Sequence, residues 1–141
     1  MRIEITGQAR LASEKRSAVA GVNRMIDQAR RLFITPIVGQ EMIYLEKGAE
    51  ALRFVNADPE PTDLTDYPFI AAEVGVTATT AYEVAQLYLN LGAQWRFIGA
   101  ALENLRLSST SAVNASTSLA GVASEEAAAA QAIQGFLSGY Q

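Results

Sequence analysis

Thr80-Ala81-Tyr82-Glu83-Val84-Ala85-Gln86-Leu87 opens the stretch that decides the fold, because it carries a helix-start signal and runs on unbroken to Leu107. Thr80-x-x-Glu83 is a capping box: the threonine hydroxyl accepts from the glutamate's backbone N–H, and the glutamate carboxylate accepts from the threonine's. Val84, Leu87, Leu91, Trp95, Ile98, Leu102 and Leu105 follow at steps of three or four, the stripe of an amphipathic helix. From Ala81 to Leu107 such a helix is about 40 Å long. That exceeds what a small unit needs, so part of it is expected to pack outside its own domain. After Leu107 the composition turns to serine, threonine and alanine; the helix is expected to continue to about Ala115 and to break at residues 116–118. Trp95 and Phe97 on this helix are read as core in preference to the lining of a ligand pocket.

Upstream, Pro68 suits the first turn of a short helix ending near Val74, with Gly75 free to take the left-handed conformation that closes it. Asp58-Pro59-Glu60-Pro61-Thr62-Asp63-Leu64-Thr65-Asp66, with two prolines and four acids, is a surface loop. It lacks the alternating acidic ligands and the glycine of a helix-loop-helix calcium site. A helix is predicted over residues 40–57, with Met42, Leu45, Ala49 and Leu52 on its buried stripe and Ile43 and Val55 beside it. Glu46, Lys47 and Glu50 are assigned to its solvated face. Paired carboxylate chemistry by Glu46 and Glu50, one turn apart, is the rival reading.

A first helix is predicted over residues 8–33. Leu11, Ala18, Val22, Met25, Ala29 and Leu32 recur at spacings averaging 3.5, the seam of a coiled coil, with Lys15 intruding at one seam position. Leu11, Val22, Met25 and Leu32 are the candidate assembly interface; the alternative is a helix packed on its own domain. Thr35-Pro36 ends the pattern. Seven of the eleven basic residues lie in residues 1–33 against three acids, so a basic helix precedes an acidic remainder in a chain of net charge −4. This pattern suggests docking between copies or onto an acidic neighbour. Nucleic-acid binding is disfavoured, because the arginines are dispersed around the helix and the chain as a whole is acidic. At the far end, Ser124 is expected to cap a last helix, with Glu125 and Glu126 in its first turn; its weakly apolar alanine-rich body must dock on something to be stable.

The 141 residues fit one domain. Charged residues are 18% of the chain, below the usual quarter, which suggests surface covered by partners. There is no cysteine and no histidine, so thiolate chemistry, disulfides and the commonest general base and metal ligand are missing from the sequence. No apolar run approaches a membrane span and the first residues lack the apolar core of a signal peptide. Phosphate-binding glycine loops and nucleophile elbows are absent, and the serines have no histidine to activate them. Catalytic residues, cofactor and metal are therefore all assigned as none, with a carboxylate-based enzyme as the remote alternative.

With those residues laid out, Phe33-Ile34-Thr35-Pro36-Ile37-Val38-Gly39-Gln40-Glu41-Met42-Ile43-Tyr44-Leu45-Glu46-Lys47, then Asp66-Tyr67-Pro68-Phe69-Ile70-Ala71-Ala72-Glu73-Val74-Gly75-Val76-Thr77 and Trp95, resemble a small helical domain of tail-fibre and tail-associated proteins of phages and prophages, especially those of alphaproteobacteria. Ala112 to Leu119 is similar to the alanine-rich end of that domain, and the resemblance covers about residues 20–123. It implies a virion protein without catalytic activity, made in the host cytoplasm, assembling with other phage structural proteins and with itself, as a trimer by analogy with fibres. It brings no site residues. Such domains usually end a longer fibre chain, whereas almost nothing precedes this one, which suggests a separate fibre, baseplate or neck subunit; the helix over residues 127–141 lies outside the pattern. The expectation is an all-α bundle with a long amphipathic helix and a coiled-coil-forming first helix. Residues 1–34 would form the basic assembly helix, 35–115 the tail-associated domain, and 116–141 a Ser/Ala-rich linker and docking helix. The alternative function is a tail or fibre assembly factor or chaperone absent from the mature virion.

Overall fold

The computed structural model describes residues 6–140, and they form five helices: α1 (Gly7–Arg30), α2 (Gln40–Asn56), α3 (Pro68–Glu73), α4 (Ala81–Ala115) and α5 (Leu119–Ser138). The protein is all-α, as the periodicities require, and no strand occurs among the described residues. Local chemistry sets most helix ends. Thr6 accepts from the Ala9 N–H at 3.2 Å to start α1. Thr80 and Glu83 form the reciprocal capping box, with Glu83 N–H donating to Thr80 Oγ1 at 3.2 Å and Thr80 N–H to Glu83 Oε2 at 3.1 Å. Pro68 occupies the first turn of α3, and Gly75 takes φ +81° just past its end. α4 stops at Ala115, and the break at residues 116–118 follows.

The chain divides into two compact units. In unit 2, residues 34–98, α2, α3 and the first turns of α4 enclose Ala51, Phe54, Ile70, Val84, Ala85 and Tyr88. The Phe54 and Tyr67 rings meet edge to face at 5.3 Å, the arrangement aromatic quadrupoles prefer. Unit 1 is built from the described residues up to Phe33 and from Gly99 onward. There α1 packs along α5, and Ala18, Val113 and Val122 bring α1, the end of α4 and α5 together. Phe33 packs edge to face on Tyr140 at 5.2 Å.

Four expectations need correction. The division into 1–34, 35–115 and 116–141 places the whole of α4 in one domain, whereas its residues from Gly99 onward belong with α1 and α5. α5 begins six residues earlier than the Ser124 cue suggests: Ser118 is its N-cap, its Oγ accepting from Gly121 N–H at 3.0 Å, so Glu125 and Glu126 lie inside the helix. α1 ends at Arg30 instead of Phe33, because Leu32 and Phe33 close onto Ala29 and Arg30 in tight turn bonds before Pro36. On α2 the anticipated buried stripe is the outward one. Met42 is 70% exposed, Leu45 72% and Leu52 53%, with Ala49 exposed too, while Ala51 and Phe54 on the opposite side enter the core.

Candidate functional site

Polar groups concentrate beneath α3. Glu50, assigned to the solvated face from sequence, is 2% exposed and accepts from two successive backbone N–H groups, Phe69 to Oε1 at 3.2 Å and Ile70 to Oε2 at 2.7 Å. The carboxylate thus serves as the missing cap for the free amides at the α3 N-terminus, a place that also favours negative charge. One turn earlier, Lys47 stands 3.0 Å from Glu73 Oε2 and 5.0 Å from the centre of the Tyr88 ring. Glu73 Oε2 is buried and held by charge, since no aligned hydrogen bond reaches it. Tyr88 Oη donates to the Phe69 carbonyl at 3.0 Å. Both Glu50 oxygens, the Lys47 ammonium and the Tyr88 hydroxyl are engaged with α3, so the cluster's chemistry is that of a clamp. Sequence reading missed it. The available signal was that Lys47, Glu50, Ala51 and Phe54 share one side of α2.

In unit 1 the charged groups are closer to water. Glu103 bridges Arg106, at 2.6 and 2.9 Å, and Arg30 at 3.0 Å. The Arg106 hydrogen bond, aided by the charges of Arg106 and Arg30, holds the Glu103 carboxyl down at about 2, and the same bond raises Arg106. In unit 2, Asp63 is lowered by hydrogen bonds from the Thr65 hydroxyl and N–H, an Asx turn that orders the acidic loop. Among the described residues no group of three or more acids converges in a way that could hold a metal.

Lys15, the intruder in the α1 seam, donates to the Asn114 carbonyl at 2.7 Å and so satisfies the C-terminus of α4, where a cation is favoured. It borders an open groove of about 380 Å³ with Ala12, Arg16, Val19 and Asn114.

The four residues of the candidate assembly interface part company. Val22 is 0% exposed, inside the packing of unit 1, Leu11 packs on the Ala18–Val113–Val122 cluster, Met25 is half-buried, and Leu32 alone is largely exposed at 69%. The α1 stripe is therefore used inside the chain, as a seam with α5. One uncovered stripe is on α2: Met42, Leu45, Ala49 and Leu52, preceded by exposed Ile37 and Val38; Leu87, Leu91 and Phe97 of α4 are exposed as well. No helix among the described residues is long and apolar enough to cross a membrane.

These features define an all-helical protein whose buried charged cluster engages α3 and whose exposed apolar side chains include those along α2 and, at Leu87, Leu91 and Phe97, along α4. No protein-family model, curated protein or solved structure matches the chain.

Proposed function

We propose that this chain is a non-enzymatic structural protein of a phage virion, a tail-fibre, baseplate or neck component that acts through helix-mediated assembly. The observation that carries the reading is the exposed apolar stripe of α2, which starts within the run from Phe33 to Lys47 that resembles tail-associated domains and continues past it to Leu52. Large exposed apolar faces on water-soluble helices mark surfaces that partners cover. The partners are other phage structural proteins and further copies of the chain; no cofactor, nucleic acid or membrane is invoked. Mass spectrometry of purified particles with copy number per virion tests it. A fixed multiple of three, six or twelve supports the reading. Detection only in infected-cell lysate overturns it in favour of a tail or fibre assembly factor that leaves before the virion is complete.

A further inference from the structure

We propose that α2 pairs antiparallel with α2 of a second copy, making an isologous two-fold dimer. Met42, Leu45, Ala49 and Leu52 are spaced three, four and three apart, two heptads with Met42 and Ala49 at a and Leu45 and Leu52 at d, and all four are exposed. The opposite side of the same helix, at Ala51 and Phe54, already fills the core, so the outward seam is left uncovered by the described residues.

The charges beside the seam choose the partner and the direction. Glu46 and Arg53 take the e positions, Glu41 and Gly48 the g positions. A parallel pair would set Glu41 against Glu46 of the other copy. An antiparallel pair that layers Met42 on Leu52 and Leu45 on Ala49 sets Glu46 against Arg53 twice, once on each side of the two-fold axis. Gly48 adds an independent argument. A helix-interior glycine is unfavourable, and a Cβ built there would meet nothing within 4 Å, so packing inside the chain does not require it. It sits beside Ala49 near the middle of the stripe, where small residues let two helix backbones approach. With only two heptads the pair is a weak one, in the micromolar range.

This inference deepens the assembly reading and rests on it for the purpose of pairing; the pairing itself is tested on the isolated full chain. Sedimentation equilibrium across the micromolar range is expected to give a monomer–dimer equilibrium. Leu45→Glu should raise the dissociation constant at least about tenfold with helicity retained. Glu46→Arg and Arg53→Glu should each weaken self-association, the first by facing Arg53, the second by facing Glu46. An equimolar mixture of the two single variants should restore the dimer, because the mixed pair regains both ion pairs, a result a folding defect would not give. Overturning results are a wild type that stays monomeric, a Glu46→Arg variant that pairs more tightly (the parallel outcome), or a dimer indifferent to Leu45→Glu. A solution monomer that is nevertheless found in virions would remove the pairing and leave the virion reading standing.

Discussion

Glu50 shows how much one side chain can decide. Its two oxygens close the first amides of α3, and removing them strands buried N–H groups without replacing them. Glu50→Ala should cost about 2 kcal/mol or more in urea unfolding; a loss below about 0.5 kcal/mol would mean that water or a neighbour substitutes for it. Glu103 gives a pH signature. In the folded chain it keeps its charge down to about 2, whereas its ordinary value is 4.5, so between those limits the unfolded chain binds the additional proton. Stability from this network is complete above pH 4.5 and is lost as pH falls through about 2. Glu103→Gln should flatten the acid limb of the stability curve in that window, and an unchanged acid limb would remove the ion network from the account.

At the scale of elements, the capping box sets where α4 begins. Thr80→Ala is expected to destabilise by about 1 kcal/mol, read from denaturant midpoints. α5 offers a paired comparison. Ser118→Ala should cost about 1 kcal/mol and Ser124→Ala within about 0.5 kcal/mol of nothing, since only Ser118 caps; equal losses would contradict the observed start. The sequence made the bounds of α4 legible to within a residue, because cap and serine-rich stop agree, but not its burial: Leu87 and Leu91 of the predicted stripe and Phe97, read as core, are exposed, while Val84, Ile98 and Leu102 are buried. α5 was misplaced because several serines stand in a row and the Ser-Glu-Glu triplet imitates a helix start. α2 was placed correctly but turned the wrong way: it carries two apolar stripes on opposite sides, and periodicity measures the existence of a stripe without saying which one meets the core. Glu50 went unseen for the same reason, since its role depends on α3, about twenty residues away in the chain.

For the molecule as a whole, the coiled-coil spacing of α1 was visible in the sequence, and its partner was not. The partner is α5, separated in the chain by all of unit 2. Val22→Asp would bury a carboxylate among apolar neighbours, and the expected cost is about 3 kcal/mol or more. Hydrogen exchange should show protection lost in residues 7–30 and 119–138 while residues 40–56 retain theirs; uniform loss would show the two units to be one cooperative block.

That discontinuous layout also has a history written into it. On the ribosome, unit 2 has most of its sequence available as soon as α4 begins to emerge, whereas α1 must wait for residues 31–118 to be made before α5 exists. At about 5–20 residues per second this is a delay on the order of ten seconds. Until then nascent α1, once clear of the ribosome, lacks the helix along which it packs in the folded chain. The late arrival of the alanine-rich α5, which packs along α1, is what ends that wait.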